Sequence, residues 1–259
     1  MKKNRILWLD IARCLAILSV LLVHSAESGY SLAFEELAGL GIPSACFRVI
    51  CFTAGRLGVP LFLAISGYLL LDRDFSTSKK IIKFYKSNLF PLLLTVEIWV
   101  VLYYIIQVLF NSQTFELRNL IDNMLFMRVN EFSHFWYMPM IIGLYIAIPF
   151  IARAIKGIEA KALLVPFAAV FIVVFAVNTL NAYYNMFDIE TLSPRVDVTF
   201  LGGNYGSYML LGLFCKRGYF KKIPSFSLVL GFLLSCAFCC FTLLFTVKKA
   251  MTIIFGTTL

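Results

Sequence analysis

The chain alternates long apolar runs with short polar breaks. Seven runs stand out, at about 6–24, 47–71, 88–110, 135–153, 162–180, 198–215 and 226–247. A hydrocarbon core of about 30 Å takes roughly 20 mostly apolar residues as helix. Lipid offers no partner for open backbone groups, so each run is expected to be helical. The pattern predicts an all-α, polytopic transmembrane bundle of about seven spans. Ten residues follow Lys249, too few to cross, and these are expected to form a stub or an interfacial tail. No internal repeat, low-complexity tract or second soluble domain interrupts the pattern, so 1–259 reads as one integral-membrane domain.

Composition leads to the same class. The chain is 61% hydrophobic and 14% charged, with a mean hydropathy of +0.86. A soluble domain is about half apolar and a quarter charged. The net charge of +9 is explained by its distribution. With the N-terminus in the cytoplasm, the inner breaks hold Lys2, Lys3, Arg5, Arg73, Lys79, Lys80, Lys83, Lys86, Arg153, Lys156, Lys161, Lys216, Arg217, Lys221 and Lys222. The outer breaks hold most of the acids, among them Glu27, Glu35, Glu36, Glu116 and Asp122. That is the positive-inside asymmetry, with Lys248 and Lys249 as a mild exception, and it leaves nucleic acid no role. The first run follows a basic start but is interrupted by Arg13 and lacks a clear small-residue cleavage site, so it reads as a retained helix rather than a signal peptide. The seven cysteines form no metal framework. Cys236, Cys239 and Cys240 lie in an apolar run and read as small hydrophobes, while Cys46 and Cys51 fall near the outer face.

The first run carries unexpected chemistry. "WLDIARCLAILSVLLVHS" contains Asp10, Arg13 and His24. At about 100° and 1.5 Å per residue, Arg13 and His24 lie within about 20° of one face and roughly 16 Å apart. Asp10, three residues before Arg13, is placed to pair with it. A charge at helix centre costs about 2.5–3.5 kcal/mol against lipid, so this stripe is expected to face the bundle interior or a wet cavity. The bland alternatives are a structural Asp10–Arg13 ion pair and an interfacial His24. Arg56 lies in the outer part of the second span and Glu97 well inside the third, and intramembrane ionisable groups are functional hypotheses by default. Ser66 reads as a site residue or as a packing position. His134 and Trp136 begin the fourth span, where an aromatic belt is the plain reading.

Several segments together resemble the membrane-bound acyltransferase 3 family. Arg13 with His24 after ten intervening residues, and Asp10 before them, resembles its first-helix signature. "VPLFLAISGYLL" (59–70) resembles its second-helix motif, and "HFWYMPMIIGLYIAIPFI" (134–151) its later His-aromatic-Trp segment. "YGSYMLLGLF" (205–214) resembles a further helix, so the similarity covers about 5–215 in order. The resemblance implies an acyltransferase of the bacterial plasma membrane. It implies transfer of an acyl group, usually acetyl from acetyl-CoA as co-substrate, to a hydroxyl of a cell-surface glycan or lipid-linked sugar. No tightly bound cofactor and no metal are expected. His24 is then the general base, since imidazole titrates near neutral pH. Arg13 is a phosphate-binding or channel-ordering group, and Asp10 orients it. Arg56, Ser66, Glu97, His134 and Trp136 become candidates for substrate binding. Two departures stand out. The family commonly has a basic pair after its second span, where this chain reads "KFYKSNLFP" with Lys83, Lys86 and Asn88. The family also usually has about ten helices, so the chain reads as a shortened form. The rival reading is an export or transport protein that uses Arg13, Glu97 and His24 as a relay without consuming a thioester.

Overall fold

The computed structural model describes residues 6–30, 36, 39–110, 114–127, 133–187, 189–193 and 203–255. Among these residues every regular element is helical. In chain order the elements are α1 (Leu7–Gly29), α2 (Ile42–Gly55), α3 (Gly58–Leu70), α4 (Ser78–Phe84), α5 (Phe90–Phe110), α6 (Leu117–Met124), α7 (Tyr137–Ala154), α8 (Ala160–Phe171), α9 (Val177–Met186), α10 (Gly203–Lys216) and α11 (Ser225–Phe255). The chain divides into two compact units, one of residues 1–69 with 159–259 and one of residues 70–158.

Six described helical stretches are long and apolar enough to cross a membrane: Leu7–Gly29, Ile42–Leu70, Ser78–Phe110, Tyr137–Ala154, Lys161–Asn185 and Ser225–Thr242. The one expected span missing from these six, 198–215, contains α10. That helix has 14 residues, about 21 Å at 1.5 Å each, which is short of the hydrocarbon core. Residues 198–202 lie outside the described ones. At the other end, α11 continues to Phe255, through Lys248 and Lys249. The tail expected after Lys249 is therefore largely helix.

In the first unit, glycines let backbones meet. A Cβ on Gly55 would fall 2.7 Å from the Val23 backbone nitrogen, and one on Gly58 would fall 2.8 Å from the Ala16 carbonyl oxygen. The contact brings α1 against the junction of α2 and α3. Trp8 meets Tyr68 edge-on at 4.9 Å, so the start of α1 lies beside the end of α3 and the two run antiparallel. A second close crossing joins α3 to α10. A Cβ on Gly67 would collide with the Met209 carbonyl oxygen, and one on Gly212 with that of Ala64. Leu63, Met209, Leu213 and Phe214 are buried around it, and Phe167 of α8 meets Phe214 at 5.3 Å. Small residues at such crossings are how membrane helices approach closely.

A π-helical turn, Ile172–Ala176, joins α8 to α9. The Asn178 and Thr179 side chains donate to the Val174 and Phe175 carbonyls at 2.6 and 2.8 Å. Asn181 clamps the following segment, donating to the Leu192 carbonyl at 2.8 Å and accepting from its N–H at 2.7 Å.

In the second unit, Val96, Val100 and Tyr104 bury one face of α5, while Ile141, Leu144, Ile148 and Ala152 bury one face of α7. Both sets step by three or four residues, as one helix face requires. A π-helical turn, Tyr85–Leu89, links α4 to α5, and the Phe90 N–H reaches the Tyr85 carbonyl. The cause lies just after it. Pro91 has no N–H, and its ring crowds the carbonyl four residues back, so a wider turn at that point relieves the clash. Tyr85 donates to the Ile146 carbonyl at 2.9 Å, beside the gap in the ladder left by Pro149. Tyr104 accepts from the Glu116 N–H at 3.0 Å and donates to the Glu116 carbonyl at 2.9 Å, which fixes the approach to α6. In the loop before α4, Asp74 accepts from Lys156 at 2.8 Å and also from Lys80. Lys156 first, then Lys80 and Ser76, hold the exposed Asp74 carboxyl well below the usual carboxylate range.

Candidate functional site

The polar stripe of α1 forms as its spacing requires. Arg13 Nη1 donates to Asp10 Oδ1 at 2.9 Å. Leu7, Ile11, Leu15, Leu18 and Leu22 are exposed and recur within about 80° of one another, as a lipid-facing strip does. Leu9, Ala16 and Val23 are buried, roughly opposite that strip. Arg13 and His24 fall beside the buried face, with the exposed Ile17 and Leu21 within about 20–80° on their other side. Asp10 and His24 are half-buried, whereas Arg13 is exposed, with 46% of its side chain accessible. The stripe therefore borders the packed face rather than lying wholly inside it.

Near the other end of α1, His24 Nδ1 stands 3.1 Å from Glu27 Oε2. The second oxygen of that carboxylate, Oε1, lies 4.0 Å from Arg56 Nη2. Arg56 occupies the turn between α2 and α3, flanked by Leu57 and the two glycines that press on α1. Its guanidinium rides 5.7 Å from the centre of the Phe52 ring. Thus Gly55, by seating against Val23, brings Arg56 to the level of Glu27. Further out on α2, Arg48 stacks over the Tyr30 ring at 4.8 Å and reaches Glu36 at 3.6 Å.

His24 and Arg56, both singled out in the sequence, are joined by a residue that was not. Glu27 looked like one of several outer acids. The signal for it was present, since His24 and Glu27 have the same three-residue spacing as Asp10 and Arg13. Ser66 does not join this cluster. It is half-buried on α3, near the Tyr68 end that meets Trp8, and therefore toward the Asp10–Arg13 end of α1.

The remaining candidates belong to the second unit. Glu97 follows the buried Val96 on α5, and its Oε2 is buried with no hydrogen-bond partner among the described residues. Trp136 closes a 3₁₀ turn, Ser133–Trp136, that leads into α7. It is 38% exposed and packs edge-on to Tyr137 at 6.1 Å. His134 lies in the same turn, and its side chain is outside the described residues. No group of three or more His, Cys, Asp and Glu able to hold a metal occurs among the described residues.

Chemically, α1 offers two distinct tools about 16 Å apart. One is an ion-paired guanidinium suited to an oxyanion or phosphate. The other is an imidazole with one ring nitrogen held by a carboxylate. The family model for the acyltransferase domain matches residues 6–255. No curated protein and no solved structure matches the chain.

Proposed function

This chain belongs to the acyltransferase domain family, and from that premise we propose that it carries an acyl group, acetyl from acetyl-CoA, to a hydroxyl of a cell-surface glycan or lipid-linked sugar. His24 is the general base. The observation that supports this reading most is the pairing of His24 with Glu27 at 3.1 Å, on the same helix and about 16 Å from Arg13. A hydroxyl is a weak nucleophile until a base takes its proton. In the proposed reaction His24 Nε2 takes that proton as the hydroxyl oxygen attacks the thioester carbon. A C–O bond forms, the C–S bond breaks, and the departing sulfur receives the proton from His24. The products are an ester and free CoA.

Arg13 binds a phosphate of the acyl-CoA, and Asp10, bonded to it at 2.9 Å, sets its direction. Ser66, toward the same end of α1, is a donor-side candidate, and Arg56, beside Glu27, is an acceptor-side one. Glu97, His134 and Trp136 are proposed for the acceptor path. Acyl-CoA is a consumed co-substrate and no tightly held cofactor is invoked. The bacterial plasma membrane supplies both an inner pool of donor and an outer pool of acceptor.

The test is release of CoA thiol from acetyl-CoA by the protein in lipid, with an extract of cell-surface glycans and glycolipids as acceptor. Wild type is expected to release thiol and His24→Ala to lose roughly 100-fold or more, at equal expression and thermal stability. Equal rates in the two proteins would remove His24 from the chemistry. A wild type that is inert beside an active relative in the same assay would favour transport.

A further inference from the structure

The acyl-transfer reading asks for a base but not for the carboxylate that touches it. Glu27 lies one helical turn beyond His24, and its Oε2 is 3.1 Å from Nδ1. An ionised carboxylate can only accept hydrogen bonds. A neutral His24 paired in this way therefore carries its hydrogen on Nδ1, which makes Nε2 the accepting nitrogen. We infer that Glu27 is a positioning residue that fixes His24 as the Nδ1–H tautomer and so presents Nε2 to the acceptor hydroxyl. The inference rests on the acyl-transfer reading of His24, and its substrate is the acceptor of that same reaction.

Three features carry it. First, the two oxygens of Glu27 are divided between two helices. Oε2 serves His24, and Oε1 faces Arg56 Nη2 at 4.0 Å. At that distance Arg56 is a screened charge contact, which favours the ionised carboxylate beside the imidazole without bonding to it. Second, the turn that carries Arg56 is pinned where Gly55 meets Val23, which keeps its exposed side chain, 5.7 Å from the Phe52 ring centre, at the level of Glu27. Third, the charges suit the step. When Nε2 collects a proton, the ring becomes a cation beside an anion, and the Nδ1–H bond to Glu27 becomes charge-assisted. Glu27 from its own helix, and Arg56 from the neighbouring one acting through Glu27, are among the charged groups near the ring. The arrangement is that of a general base oriented by a third group, whose loss leaves the ring present but in the wrong tautomer.

The chain has two histidines, so the tautomer is directly readable. The protein, labelled with 15N-histidine and held in lipid nanodiscs, is observed by NMR beside His134→Gln, which assigns the His24 signals. In the neutral ring Nδ1 is expected to be the protonated nitrogen and Nε2 the bare one. Glu27→Gln, close in shape, is expected to give a mixture of tautomers. In the thiol-release assay its kcat is expected to fall roughly 100-fold or more with KM little changed. Glu27→Asp is expected to recover part of the loss. A wild-type ring protonated on Nε2 overturns the inference. So does a Glu27→Gln variant with unchanged kcat, or one that loses activity only through KM. The NMR measurement needs no turnover. An Nδ1–H ring in a wild-type protein that releases no CoA would therefore reject acyl transfer while leaving the Glu27–His24 pairing in place.

Discussion

Tyr104 bonds to both backbone groups of Glu116 through one hydroxyl, and it is buried. Tyr104→Phe keeps the ring and removes both bonds, so two backbone groups lose their partner. The expected cost is about 1–3 kcal/mol, read as a lower midpoint in thermal unfolding in detergent. Asp74 allows a test against pH. Its carboxyl is held below its ordinary value of 3.8 by Lys156 and Lys80. The folded state thus favours the ionised form. Its contribution is fully present above that ordinary value and fades as pH falls from there through the lowered one. Asp74→Asn should accordingly be less stable than wild type at about pH 7 and about pH 5 alike, with the gap closing only in stronger acid. Added salt should narrow it, because the pair is exposed. At this scale the sequence was readable wherever partners lie within one turn. Asp10 and Arg13 were found that way, and Glu27 was available by the same rule. Tyr104 with Glu116, and Asp74 with Lys156, depend on loop paths that no local pattern encodes.

Helix positions were legible because length and apolarity are what lipid selects. The breaks within helices were harder to read. The run 47–71 is divided at Arg56–Leu57, and its helix begins earlier, at Ile42, with Pro43 in the first turn, where a missing N–H costs nothing. The π turn before Pro91 has a cause visible in sequence, whereas the one at Ile172–Ala176 has no neighbouring proline to announce it. Gly67 and Gly212 gave the weakest signal, since an isolated glycine in an apolar run looks like a neutral choice. Their crossing makes a sharp prediction. Gly67→Ala and Gly212→Ala each push a methyl into a backbone carbonyl and should destabilise by on the order of 1–3 kcal/mol or more. Gly143→Ala and Gly231→Ala, with nothing within 4 Å of the added carbon, should be neutral or mildly stabilising. Thermal midpoints of the four variants in one detergent decide it, and similar losses at all four sites would remove the special role of the α3–α10 crossing.

The molecule is a multi-pass membrane acyltransferase by family and by its apolar helices. The orientation is predicted from charge alone and is open to direct measurement. The N-terminus and the 71–77 loop are separated by two spans, Leu7–Gly29 and Ile42–Leu70, so both are predicted to lie in the cytoplasm. Epitope tags at the two sites should both resist antibody and protease added to intact cells. Labelling of either tag from outside would reverse the topology and with it the sides assigned to Arg13 and His24.

The discontinuous first unit, residues 1–69 with 159–259, also sets a timetable for biosynthesis. His24, Glu27 and Arg56 all emerge from the ribosome early, within the first two spans, and the contacts that gather them are short in sequence. Gly67 must wait for Gly212, 145 residues later (212 − 67). Throughout that interval the residues that gather His24, Glu27 and Arg56 are all present, whereas the helix that packs on Gly67 is not yet made. A chain stalled between those two points would already hold His24 beside Glu27, while Gly67 would still lack the backbone it meets in the finished fold.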